Sequence, residues 1–247
     1  MNYKMVGFVL GRIFLIEAAL MLFPMGCAAI YGEWASIPAF LIPVLILLVL
    51  GLAASLKSPK DTKIYARDGL AIVALVWVLL SVFGALPFII TGEIPSFVDA
   101  FFEMVSGFTT TGSTILTDVE SLSHGILFWR SFSHWIGGMG VLVLFLALTP
   151  RQGEGAVFLM RAESPGPIKS KLVPKVGGTA KILYVIYVAL TAAEAVCLRI
   201  AGEDWFFAVN HALTTMATGG FSTRDVSIAG QSVAVMWIIT CLLYTSD

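Results

Sequence analysis

Charge is scarce in this sequence. Asp, Glu, Lys and Arg supply 13% of its 247 residues, where a soluble domain carries about 25%. With 58% apolar residues and a mean hydropathy of +0.91, that deficit excludes a water-soluble globular protein. The same apolar content excludes a disordered chain. Fifteen basic and sixteen acidic residues leave a net charge of −1, so nothing global points to nucleic acid as a partner. Cysteine is sparse too. Cys27, Cys197 and Cys241 sit in apolar surroundings without CxxC spacing, which argues against a disulfide framework or a zinc site. The three histidines form no HExxH or DxxH pattern, so a membrane enzyme lacks its acid, base or metal ligands, and no cofactor is expected. Strand-period alternation is missing as well, which disfavours a membrane barrel.

What is present is a series of long apolar runs. Segments 6–30, 37–56, 69–90, 125–148 and 180–200, and a last run from near Ser232, each approach the about 20 helical residues that cross a bilayer core. The expected fold is an all-α membrane protein. Lys57, Lys60, Lys63 and Arg67 cluster between the second and third runs, and Arg151, Arg161, Lys169, Lys171, Lys175 and Lys181 fill the segment after the fourth. The opposite connections hold Glu33, Glu93, Asp99, Asp118, Glu120, Glu203 and Asp204. Basic residues stay on the cytoplasmic side, so the N-terminus is expected there too, with Lys4 and Arg12.

Two segments on the acidic side are too short to span. Residues 97–108 and 205–217 would each cover about 18 Å as helix, half a bilayer. Each runs into a Thr/Gly-rich stretch, Thr109-Thr110-Thr111-Gly112-Ser113-Thr114 and Thr218-Gly219-Gly220-Phe221-Ser222, and then into a full run. Such an element enters and leaves on one side, and its irregular backbone is tolerated at membrane depth only beside protein or water. Gly112 and Gly219 lie 107 residues apart, and that offset carries 69–90 onto 176–197. The unit of span, half-helix, Thr/Gly loop and span therefore occurs twice, in the same direction. Half-helix C-termini favour a cation at the membrane centre. Glycine lets the backbone turn its carbonyls inward to replace a hydration shell, and threonine adds uncharged oxygens, a set suited to a monovalent ion. Thr110, Thr111, Gly112, Ala217, Thr218 and Gly219 are the candidate ion contacts. Glu103, Ser113, Arg130, His134 and Gly220 are candidate supports.

The run Phe97 to Gly112, FVDAFFEMVSGFTTTG, resembles the first pore helix and filter of Trk-type potassium uptake subunits (the TrkH/TrkG family). Trp129-Arg130-Ser131 with His134-Trp135-Ile136-Gly137-Gly138-Met139-Gly140 resembles the span that follows, and Ala217 to Thr223 the second filter segment. The resemblance implies two preliminary spans (1–57), a first pore repeat (67–150), a cytoplasmic loop (151–177) and a truncated second repeat (178–247), two of four repeats around one pore. It also implies potassium uptake across a bacterial inner membrane, a homodimer in lipid, and a cytosolic nucleotide-binding regulatory subunit (TrkA-like). The family's gating loop and pore arginine belong to repeats three and four, so gating does not carry over. A non-conducting scaffold subunit and a Na⁺-coupled KtrB-like transporter remain as alternatives.

Other residues keep open readings. Glu103 either packs its half-helix or faces the ion vestibule. Arg130 and His134, one turn apart, share a face and either brace the filter or contact the ion. His211 is a packed or hydrogen-bonded residue, Glu17 and Glu194 need partners inside their spans, and Gly137-Gly138-x-Gly140 permits close helix approach. Cys241–Asp247 is what TGT CTC TTA TAC ACA TCT GAC encodes, a string like a transposon mosaic end in library adapters. The expectation is that native sequence stops near Thr240 and 241–247 are non-native.

Overall fold

The computed structural model describes residues 2–56, 59, 65–140 and 176–246. Within them the chain is helical. Helix α1 (Tyr3–Leu20) and α2 (Leu22–Ile30) form one rod broken at Met21. Pro24 has no N–H for the Leu20 carbonyl, which places the break. A 3₁₀ turn at Trp34–Ser36 leads into α3 (Ile37–Ser55), which returns along α1. The two approach closely where Gly11 faces Ala54 and Gly51 faces Leu15. This pair, α1–α2 against α3, forms a hairpin within the first 56 residues.

Helix α4 (Ala66–Thr91) starts where Asp68 accepts from the Tyr65 N–H (3.2 Å) and also from the Asn2 N–H (3.2 Å). It ends on Gly92, whose left-handed backbone (φ 79°) lets the Ile94 N–H reach the Phe88 carbonyl. After it come α5 (Phe97–Phe108) and α6 (His124–Met139). The elements then recur as α7 (Val176–Ile200), α8 (Trp205–Met216) and α9 (Val233–Ser246). Four helical segments are long and apolar enough to cross a membrane: Tyr3–Ile30, Trp34–Ser55, Arg67–Thr91 and Lys181–Ile200. The expected fourth run, 125–148, is described only as far as α6 reaches. The basic residues Lys57, Lys60 and Lys63, and those from Arg151 to Lys175, lie outside the described residues.

The main core fills the space between the hairpin and the first repeat, with Phe40, Phe88, Met104, Phe108 and Trp129 buried together. A smaller one, Leu198, Phe207, Ala208, Val235 and Ile239, joins α7, α8 and α9. Large apolar side chains also cover the outside, such as Leu45, Val49 and Leu52 on α3 and Ile182, Val185 and Ile186 on α7. Water would not tolerate that surface; lipid does.

Candidate functional site

The two short helices carry the site. Each begins with a side-chain cap: Ser96 Oγ accepts from Asp99 N (3.4 Å), and Asp204 Oδ1 from Phe207 N (2.8 Å). Each ends by the same unwinding. Thr110 N donates to Gly107 O (3.0 Å) and Thr111 N to Ser106 O (3.0 Å); Thr218 N donates to Thr215 O (2.9 Å) and Gly219 N to Thr214 O (2.9 Å). Thr110 (φ 56°) and Thr218 (φ 51°) adopt left-handed backbone, strain of roughly 1–2 kcal/mol that a side-chain-bearing residue keeps only where its surroundings impose it.

These bonds correct the repeat offset. Caps, helix ends and turns recur at 108 residues, not at 107. Gly112 (φ 75°) thus corresponds to Gly220 (φ 92°), and Thr111 to Gly219, whose φ is not positive. Matching the first glycine of each stretch misses this, because residue identity tracks backbone conformation only where φ is positive. The segments also touch: a Cβ on Gly112 would run into the Gly219 carbonyl. Thr111 and Thr218 are exposed, while Ala217 and Gly219 are buried. Among the described residues, no N–H or hydroxyl donates to the carbonyls of Thr110, Thr111, Ala217 or Thr218.

Behind the first segment lies a buried ion pair. Glu103 is fully enclosed and Arg130 nearly so; Arg130 Nη2 sits 2.7 Å and Nε 2.8 Å from Glu103 Oε1. Glu103 also accepts from Thr114 Oγ1 (2.8 Å) and from Ile115 N (3.2 Å). Arg130 spends its remaining donors on Thr114 Oγ1 (3.3 Å) and on the Ser222 carbonyl (3.3 Å), which belongs to the second repeat. Its guanidinium also lies over the Phe221 ring, 4.2 Å from the centroid. In the second repeat His211 takes the place of Glu103, and Ser222 that of Thr114. His211 Nε2 lies 3.1 Å from Ser222 Oγ, and Nδ1 lies 3.0 Å from Phe207 O. An Nδ1–H tautomer satisfies both.

The structure brings Glu103 and Arg130 together, and seats His134 as a stacked ring on Phe221 (4.1 Å) against the Gly219 backbone. Ser113 is exposed; the hydroxyl that Glu103 holds is Thr114's. Gly220 is exposed, with no atom near its missing Cβ. Gly137 lies against the Phe108 carbonyl, and at Gly138 a Cβ would stand 2.8 Å from Ala217 Cα. One helix, α6, thus touches the ends of both half-helices, which is the reason for its glycines. Sequence reasoning did not single out Thr114, Phe221 or Ser222. The 108-residue register was the signal that pairs Thr114 with Ser222.

Outside the spans, Glu33 receives the start of α6: Oε1 accepts from His124 N (2.7 Å) and Oε2 from Gly125 N (3.0 Å), with His124 Nδ1 2.8 Å from Oε1. Partial burial pushes its pKa up, but these donors outweigh it and hold the carboxyl below its ordinary value. Both carboxylate oxygens of Glu17, buried in α1, have no hydrogen-bond partner among the described residues. Glu194 is buried in α7.

Comparison with known proteins gives these features a family. Residues 36–245 match the family model TrkH, described as a cation transport protein. The Trk system potassium uptake protein TrkH of Escherichia coli K12 is 42% identical over 232 residues, 92% of this chain and 48% of the relative. TrkG of the same organism is 39% identical over 92% of this chain and 47% of its own length. The crystal structure of the potassium transporter TrkH from Vibrio parahaemolyticus superposes with a TM-score of 0.81 at 34% identity, covering 98% of this chain and 49% of that one. The chain spans about half the length of the curated relatives it matches. With a family match across most of its length, the chain belongs to the TrkH family of cation transport proteins.

Proposed function

We propose that this chain supplies two of the filter segments through which a longer TrkH-family protein takes up K⁺ across a bacterial inner membrane, its N-terminus cytoplasmic. One observation carries the reading. Two half-helices, related by a constant offset, each run into a strained, left-handed threonine with a positive-φ glycine two residues on, and nearby carbonyls receive no donor among the described residues. Carbonyls of Thr110, Thr111, Ala217 and Thr218 would stand in for water around the ion, with the helix C-termini adding partial negative charge. The relatives' names, potassium uptake proteins, support K⁺ as the cargo. On this reading the protein is a transporter without catalytic residues or cofactor. A homodimer in lipid, and a TrkA-like cytosolic nucleotide-binding partner, complete the proposal.

The test is growth. A full-length protein carrying this sequence should rescue a potassium-uptake-deficient bacterium on low K⁺. Unchanged growth despite confirmed membrane insertion would overturn the proposal and favour the non-conducting scaffold. Uptake that requires Na⁺ would favour the Na⁺-coupled alternative.

A further inference from the structure

Arg130 is more than the counter-charge of Glu103. A counter-charge needs one contact, and a lysine would provide it. Arg130 instead divides its donors among three targets in different parts of the chain: Glu103 in α5, the Thr114 hydroxyl after the first filter segment, and the Ser222 carbonyl after the second. The Ser222 bond spans 92 residues of sequence and joins one repeat to the next. Phe221, beside it, lies beneath the guanidinium and over His134. The planar fork of arginine suits such a junction, because its donors diverge at fixed angles. The second repeat has no arginine at the matching position: 108 residues beyond Arg130 stands Ile238, which packs against the smaller core, and Arg224 pairs instead with Glu203 (3.3 Å).

We propose that Arg130 is a positioning residue that ties the outgoing strands of two neighbouring filter segments together and thereby sets the K⁺/Na⁺ discrimination of the pore. The inference rests on the filter reading above. A carbonyl-lined site distinguishes two alkali ions by the number and spacing of its oxygens. Farther out, Asp225 joins the same two strands, accepting from Val119 N (2.6 Å); beside the turns themselves Arg130 fixes that spacing across the repeat boundary, where no backbone-to-backbone hydrogen bond among the described residues does so.

Two variants of the full-length protein decide it, reconstituted in liposomes, with K⁺ and Na⁺ uptake measured side by side. Arg130→Lys keeps the charge beside Glu103 but cannot fork to Thr114 and Ser222. The double variant Glu103→Gln/Arg130→Met removes both charges and leaves no lone buried ion. Each should insert and should lower the K⁺/Na⁺ uptake ratio about tenfold, the factor expected for one lost charge-assisted hydrogen bond. A ratio within twofold of the parent in Arg130→Lys, or in the double variant should Arg130→Lys fail to insert, overturns the tie. Failure of both to insert overturns it too, since the pair would then serve folding alone. A parent protein that does not distinguish K⁺ from Na⁺ would instead overturn the filter reading itself.

Discussion

The first repeat backs its Thr/Gly segment with a buried ion pair, Glu103 with Arg130, whereas the second has the neutral pair His211 and Ser222 there and keeps its ion pair, Arg224 with Glu203, partly exposed, although their backbone turns coincide residue for residue. The contact of Glu103 with Thr114 in one matches that of His211 with Ser222 in the other, and Arg130 is added only in the first. The next helix shows the same contrast. The start of α6 is held by the Glu33 carboxylate from the preliminary hairpin, whereas α9 is capped by its own Ser232, whose hydroxyl accepts from Val235 N (3.3 Å). Surroundings account for the difference. Helix α6 is enclosed by the hairpin, α5 and α8, so an ion pair there is shielded from water and can be fully satisfied. Among the described residues helix α9 packs chiefly on α7 and α8, with Trp237 64% exposed on its flank. The half-helix caps run the other way, neutral Ser96 against acidic Asp204, both exposed, so charge does not follow the repeat.

The contrast is broken most strongly at Arg130. Arg130→Met alone leaves Glu103 buried without its partner and should cost about 3–5 kcal/mol, read as lost thermal stability in detergent. Adding Glu103→Gln should recover most of it. His211→Gln in the second repeat removes a neutral pair and should cost only about 1 kcal/mol. Equal losses in the two repeats would show that charge is not what separates them.

Glycine substitutions sharpen the comparison at the backbone. A methyl at Gly112 meets both a positive φ and the Gly219 carbonyl; one at Gly219 meets the His134 ring; one at Gly220 meets only its own φ. K⁺ uptake should therefore fall in that order, Gly112→Ala by more than tenfold and Gly220→Ala least, by the roughly 1–2 kcal/mol of left-handed strain. Equal uptake in Gly112→Ala and the parent would show these loops to be packing elements.

Much of this was legible in the sequence. Short apolar length flanked by Thr and Gly marked both half-helices, and α5 begins and ends at the residues expected. The offset was misjudged by one residue because Thr-Thr-Thr-Gly and Ala-Thr-Gly-Gly align equally well by identity; the caps, the turn bonds and φ at Gly112 and Gly220 separate the two registers. Glu103 and Arg130 were each singled out as charged residues in apolar segments, and the structure pairs them. The reach of Arg130 to Ser222 was not, since no local periodicity links residues so distant. Glu33 appeared only as an acidic marker of topology, and its role depends on where the hairpin packs.

That carboxylate gives the smallest expected effect and the one that isolates charge from burial. Glu33 lies outside the spans, partly exposed, with its pKa held below the ordinary carboxylate value because His124 N, Gly125 N and the His124 ring donate to it. A depressed carboxylate stabilises the fold at pH above its unfolded value of about 4.3, and the benefit disappears as pH falls through the lower folded value. At neutral pH Glu33→Gln should thus cost about 1 kcal/mol, the scale of a charge at a helix N-terminus. Below that folded value, where the parent loses that contribution, the thermal stabilities of parent and variant should converge. Ser232→Ala, at the matching helix start in the second repeat, should cost a similar amount but show no such convergence, because a hydroxyl does not titrate there. If Glu33→Gln kept a constant deficit across that range, the start of α6 would be held by hydrogen-bond geometry alone, and the buried pair of Glu103 and Arg130 would be the charge contrast left between the two repeats.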